Sequence, residues 1–254
     1  MQIAVTREVS RRIVDCELTH LQRVPIDVQR ARAQHAAYES ALKGLGLAVL
    51  SLPEEPELPD SVFVEDTALV LDECALILRP GADSRRPETE SISRVLAPYR
   101  RLFQVQAPAR VDGGDILRVG RQIYVGLSSR SDPNAVEQIQ DFLQPYGYGV
   151  QAVAFSGCLH LKSAVTQVAE KTLLINPGWV DRQAFQGMTF IETDPSEPYA
   201  ANALMIGDRI LFPRAFARTR KILADTRIKI VDLDADELAK AEGALTCCSL
   251  ILAA

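Results

Sequence analysis

Along this chain, short apolar runs are interrupted by two or three polar or glycine positions and then resume, a spacing that predicts β-hairpins. Four are legible: Thr67 to Leu78 turning at Asp72-Glu73, Asp115 to Val125 turning at Gly120-Arg121, Ala164 to Ile175 turning at Ala169-Glu170-Lys171, and Asn202 to Phe212 turning at Gly207-Asp208. With Asp72, Gly120, Glu170 and Gly207 as markers, the turns fall 48, 50 and 37 residues apart. So regular an interval predicts an internal repeat and a fifth copy of it. The run Cys247 to Leu252 supplies one strand of that copy, and Ile3 to Thr6 supplies a partner whose pairing would close a ring and hide sheet edges.

Helical punctuation fills the spaces between hairpins. Pro25 to Gly46 carries Ala31, Ala33, Ala36, Ala37, Ala41 and Leu42 among charged residues and ends in Gly44 and Gly46. Ser84 to Leu96 and Ser131 to Tyr146 begin with residues that cap helices, the latter with Val136, Ile139 and Leu143 at helical spacing, and Ala215 to Ala224 reads as a shorter helix. Each unit of strands plus helix cannot bury its own apolar face and must pack on its neighbours around a shared axis. The pattern fits a propeller, and a mixed open α/β sheet almost as well, because spacing alone fixes neither handedness nor closure.

Composition narrows the class. The chain has 254 residues, 47% hydrophobic and 24% charged, enough for a substantial core in one domain spanning 1–254. A net charge of -5 leaves no basic stripe for nucleic acid, and no apolar run reaches bilayer-spanning length, so neither nucleic acid nor membrane is an expected partner. The start of the chain lacks a basic segment followed by a long apolar one, which predicts a cytoplasmic protein. Five cysteines at irregular spacing, with no CxxC pair, predict reduced thiols and no structural zinc.

Reactive residue types gather where the strands end. Pro59-Asp60-Ser61-Val62-Phe63-Val64-Glu65-Asp66 sets three carboxylates in an apolar approach to the first hairpin. Acids usually sit in water, so a solvated loop is one reading; the apolar interleaving favours a pocket that pairs them with a cationic substrate. Asp112-Gly113-Gly114-Asp115 is either an Asp-capped turn or a close backbone approach that presents carboxylates. His160, one of three histidines, alternates with apolar residues in Cys158-Leu159-His160-Leu161-Lys162 and is either a core imidazole or a general acid and base. Arg79-Pro80-Gly81-Ala82-Asp83-Ser84-Arg85-Arg86 and Leu127-Ser128-Ser129-Arg130 each follow the second strand of a hairpin, where two arginines are either surface charge or a forked clamp for one carboxylate. Leu245-Thr246-Cys247-Cys248-Ser249 supplies a candidate thiol nucleophile.

Taken together, Pro59 to Asp66, Arg79 to Ala82 with Ser84 to Arg86, Asp112 to Asp115, Leu159 to Lys162, Ser196 to Asn202 and Leu245 to Ser249 resemble the dimethylarginine dimethylaminohydrolase family from end to end. That family belongs to the guanidino-modifying superfamily, so the resemblance implies an α/β fold: a fivefold pseudosymmetric propeller of ββαβ-type repeats forming a single catalytic domain. It also implies Cys247 as nucleophile, His160 as proton donor and Asp112 as the carboxylate steadying the imidazole, with Asp115 nearby as the other carboxylate for that role. Asp60, Glu65 and Asp66 would line the substrate pocket, Phe63 would pack on the substrate, and Arg85 and Arg130 would clamp its carboxylate. Leu18, in a mobile lid, and the Ala241 carbonyl would help hold the α-amino group. The implied reaction turns a methylated arginine into citrulline and methylamine or dimethylamine through a covalent thiouronium. It needs no metal or organic cofactor, although a thiol beside a histidine is a pair that zinc could capture and inhibit. Arginine or agmatine deimination, and a non-catalytic propeller that only binds, are the competing implications. Oligomeric state is open, with a homo-oligomer compatible.

Overall fold

Apolar pairs brought together by tight turns build the first two strands of four of the five sheets, and a crossover returns the chain for the third. The computed structural model describes residues 2–253. Strand β1 (Gln2–Arg7) is followed by helix α1 (Val28–Gly44) and by β2 (Ala48–Leu52), which runs parallel to β1. The hairpin of β3 (Ala68–Val70) and β4 (Cys74–Ile77) then leads through α2 (Glu88–Leu96) to β5 (Arg101–Gln104), again parallel to its neighbour. The pattern repeats with β6 (Ile116–Val119), β7 (Gln122–Leu127), α3 (Pro133–Leu143) and β8 (Gly149–Ala154). After the short α4 (Leu161–Ala164) come β9 (Val165–Ala169), β10 (Thr172–Ile175) and β11 (Thr189–Glu192). The chain continues with β12 (Leu204–Ile206), β13 (Arg209–Pro213), α5 (Ala217–Asp225) and β14 (Lys229–Leu233).

After α6 (Asp236–Ala239), the last strand β15 (Leu250–Ala253) pairs antiparallel with β1, Ile3 opposite Leu252 and Val5 opposite Leu250. The expected fifth unit therefore exists, and the expected strand closes the ring. The result is five three-stranded sheets, each an antiparallel pair extended by one parallel strand. One strand from every sheet (β3, β6, β9, β12 and β15) lines a shared axial cavity of about 230 Å³. An open mixed sheet is thereby ruled out.

The third strands are what the pattern of apolar positions did not reveal, since each follows a crossover rather than a turn. The uneven repeat has a simple cause. Between β10 and β11 the crossover is a single 3-10 turn, Arg182–Ala184, where the two preceding units have an α-helix, and this shortens the interval to 37 residues. Helix bounds also tighten relative to expectation. Asp27 caps α1 by accepting from the Arg30 amide, Asp132 caps α3 by accepting from the Ala135 amide, and Pro87 separates the turn Asp83–Arg85 from α2.

Candidate active site

Around the axis, four of the five inner strands begin from single helical turns, and those turns carry the chemistry. Val64–Thr67 precedes β3 and holds Glu65 and Asp66; Gly113–Asp115 precedes β6, with Asp112 at its start. His160 stands at the start of α4, before β9, and Thr246–Cys248 precedes β15. One turn leaves its first amides without helical partners, and in three of the four turns one of these amides is satisfied from the neighbouring unit. The Gly114 amide donates to Asp66 Oδ1 at 2.7 Å, the Leu161 amide to Asp115 Oδ1 at 2.9 Å, and the Thr246 amide to Asn202 Oδ1 at 3.2 Å. The same bonds that stitch the propeller together thus converge the reactive groups.

His160 Nε2 lies 3.0 Å from Asp112 Oδ2. Asp112 is fully buried; its Oδ1 accepts the Gly81 amide at 2.8 Å, and its Oδ2 faces Arg130 Nη1 at 3.5 Å. Of the two candidate carboxylates, it is Asp112 that touches the imidazole. Asp115 accepts from Ser128 Oγ, Ser131 Oγ and the Leu161 amide. Burial works against a charged imidazole, but Asp66, the bond to Asp112 and the charge of Asp115 outweigh it, so the His160 pKa rises to about 9. At neutral pH this histidine is an imidazolium, a proton donor in waiting.

Cys247 is buried at 7% exposure and lines the same cavity as His160. Burial, with Glu65 and Asp66 nearby, pushes its thiol up to about 12. The resting pair is therefore neutral thiol and imidazolium, and a cation must arrive before a thiolate is favoured. Asp66 is the group that would meet one. Burial would raise its pKa, yet His160 and Arg85 prevail and hold it at about 2, so it stays ionised.

The cavity wall unites Cys247, His160, Asp60, Phe63, Asp66, Arg85, Arg130 and Ala241. Asp112 stands behind His160. Glu65, expected in that wall, faces the axial cavity instead, ion-paired with Lys162 and accepting Thr246 Oγ1 at 2.9 Å. Leu18 is half-buried in the preceding segment rather than in the wall, and the neighbouring Glu17 amide donates to Asp60 Oδ2 at 3.1 Å. Arg85 is not an open fork. Nη1 donates to Asp66 Oδ2 at 2.6 Å, Nε and Nη2 grip Glu88 at 3.1 and 2.8 Å, and Nη2 also reaches the Asp60 and Phe63 carbonyls, which leaves one Nη1 hydrogen unengaged. Arg130 has looser ties, with Nη2 on Thr19 Oγ1 at 3.1 Å.

Glu17, Leu159, Glu242 and Gly243 also line the cavity and were not singled out from sequence. Glu242 accepts the Thr19, His20 and Leu21 amides, fastening the segment that follows Leu18 to the residue after Ala241. Its signal in the sequence was only its nearness to Cys247. Gly243 is glycine for a visible reason: a Cβ there would lie 2.1 Å from the Phe63 ring. Gly243→Ala is expected to displace that ring, cost about 1–3 kcal/mol by overpacking and weaken substrate binding, read by thermal melting and KM.

The catalytic cavity has a volume of only about 10 Å³, room for roughly one water. A larger one of about 610 Å³ adjoins it across Leu159, Glu242 and Gly243. Among the described residues, the one cluster able to offer three ligand atoms to a metal is Asp66, Asp112 and His160, which leaves out Cys247. No helix of the described residues is long and apolar enough to cross a membrane.

Comparison with known proteins agrees with the fold. The family described as "N,N dimethylarginine dimethylhydrolase, eukaryotic" matches residues 19–189. The N(G),N(G)-dimethylarginine dimethylaminohydrolase of Pseudomonas aeruginosa is 34% identical over 248 residues, covering 97% of each chain. That of Streptomyces coelicolor is 36% identical over 250 residues, covering 98% of this chain and 96% of its own. A solved structure of the P. aeruginosa protein, a mutant complexed with citrulline, superposes with a TM-score of 0.94 at 33% identity and 98% coverage of both chains. The chain belongs to the dimethylarginine dimethylaminohydrolase family.

Proposed function

We propose that this protein hydrolyses Nω-methylated arginines to citrulline and methylamine or dimethylamine, with residues 1–254 acting as one catalytic unit. The observation that carries the reading is one buried cavity holding a thiol, an imidazole paired with a carboxylate, and ionised acid beside both. A guanidinium carbon is deactivated by delocalisation over three nitrogens and needs a strong nucleophile in a fixed geometry. Asp66 pairs with the bound guanidinium, whose charge draws the Cys247 proton away to solvent. The thiolate adds to the central carbon, His160 gives its proton to the departing amine, and the C–N bond breaks to leave a cationic thiouronium on Cys247. Neutral His160 then takes a proton from water, the hydroxide adds, and collapse breaks the C–S bond, the hydroxyl proton of the tetrahedral species passing to the departing sulfur so that citrulline and the resting thiol form together. Atoms and charge balance without a cofactor.

Arg130, with donors to spare, and the unengaged Nη1 hydrogen of Arg85 receive the substrate carboxylate. The segment through Leu18 and the Ala241 carbonyl receive the α-amino group, and Phe63 packs on the methylene chain. A cavity with space for one water admits such a ligand only when the segment over it moves, and Glu242 is what holds that segment down. Five unpaired cysteines among the described residues suit a reducing compartment, which supports a cytoplasmic location.

Purified protein is expected to make citrulline from asymmetric dimethylarginine. Turnover of unmethylated arginine or agmatine alone would reassign it to deimination, and agmatine would leave Arg130 without a carboxylate. No turnover of any of them, together with a Cys247 that ligand does not protect from alkylation, would reduce the site to a scaffold.

A further inference from the structure

Asp115 has no part in the steps above, yet its carboxylate is fully buried and every hydrogen bond it makes leads to a residue that does. Oδ1 accepts the amide of Leu161, the residue next to His160, at 2.9 Å. Oδ2 accepts Ser131 Oγ at 2.6 Å, and Ser131 Oγ in turn accepts the Asp112 amide at 3.1 Å. The circuit is closed by the His160–Asp112 bond itself. A second branch runs from Oδ2 to Ser128 Oγ at 2.7 Å, and that hydroxyl accepts the Arg130 amide at 2.9 Å. One carboxylate therefore indexes the imidazole, its partner acid and the looser arginine.

The surroundings are cut to fit. A Cβ on Gly126 would lie 3.1 Å from Asp115 Oδ1 and 2.8 Å from Leu161 Cβ, and a Cβ on Gly114 would lie 2.4 Å from the His160 ring. Only glycines let the carboxylate, the amide and the imidazole approach so closely. The three groups bonded to Asp115 are all donors, so the ionised acceptor satisfies them and a protonated acid would not.

The geometry points to Asp115 as a positioning residue for the hydrolysis: it holds His160 and Asp112 in register and, through Ser128, sets Arg130. This assignment rests on the reaction proposed above. The titratable groups facing Asp115 are His160 and the Cys158 thiol, and those facing His160 are Asp66, Asp112 and Asp115. Burial raises the Asp115 pKa to about 6, so at neutral pH its charge supports the imidazolium.

The test compares the parent protein with Asp115→Asn and Ser131→Ala, following kcat, KM, the alkaline limb of kcat/KM and the His160 titration by NMR. Asp115→Asn is expected to lower kcat on the order of 10- to 100-fold, as loss of an orienting partner does, with KM for dimethylarginine changed less than kcat. Its His160 titration and its alkaline limb are expected to move together to lower pH. Ser131→Ala, which keeps the Asp115 carboxylate while removing one of its donors and the branch to Asp112, is expected to lower kcat more modestly and to move the limb less than Asp115→Asn does. An Asp115→Asn protein that folds with parental kcat and His160 titration overturns the assignment. So does one that fails to fold while Ser131→Ala keeps full kcat, because the carboxylate is then only a stitch between sheets. The NMR titration does not depend on turnover: a shifted His160 in a chain that makes no citrulline from dimethylarginine would sink the proposed reaction and keep the positioning role.

Discussion

Cys247→Ser is expected to lower citrulline formation from dimethylarginine on the order of 10⁴-fold or more, the scale on which loss of a covalent nucleophile is felt. A serine hydroxyl in this setting has no route to an alkoxide, since the imidazole beside it already carries its proton. Cys248→Ser is the informative control. Its thiol points to the Ala244 carbonyl at 3.4 Å and burial raises it well above the ordinary range, so it is a packed core group outside the catalytic cavity. The substitution should cost about 1–2 kcal/mol of stability for a buried hydroxyl and leave kcat unchanged. Rates from both variants, with alkylation stoichiometry read by mass spectrometry, separate the two adjacent thiols. Parental activity in Cys247→Ser would end the thiouronium mechanism.

Asp66→Asn should be the most damaging change to the binding half of the site. The carboxylate neutralises Arg85, receives the Gly114 amide and is the largest charge holding His160 in its protonated form. Removing this charge takes from the buried Arg85 one of its two carboxylate partners and leaves Glu88 as the other, a cost of about 1–3 kcal/mol that thermal or urea unfolding will show. The pH signs follow from the same shifts. Asp66 has its pKa lowered to about 2, so the stability it supplies is present above the ordinary carboxylate range and is lost as pH falls through about 2. His160 has its pKa raised to about 9, so its contribution is complete below the ordinary imidazole range and is lost as pH rises through about 9. Activity of the parent should fade along that alkaline limb. In Asp66→Asn the limb should move to lower pH, and a limb that stays in place would refute the electrostatic role given to this carboxylate.

The hairpins were legible because both strands and the turn lie within a dozen residues, so Ile116 to Val119 and Gln122 to Leu127 announce each other. The third strands were not, since β5 and β11 are four-residue segments with polar ends whose apolar centres become a pattern only beside the strand they join across a crossover. The same division holds at the site. Cys247, His160 and Asp66 stand out as reactive types in apolar company, and they do converge. Whether Asp112 or Asp115 meets the imidazole depends on which face of a single turn each occupies, which no spacing records. Glu242 was silent because its partners are backbone amides more than two hundred residues away.

Four of the five sheets are woven from contiguous chain, while the fifth is a seam joining β15 to β1. The nucleophile sits immediately before the seam's last strand, so the reactive end of the site depends on the most remote pairing in the fold. Pairings of that range come late, after the entropy of closing so long a loop has been met. Pairing of the seam thus completes the setting of the nucleophile, and loosening it is expected to silence the cysteine while the other blades stay intact.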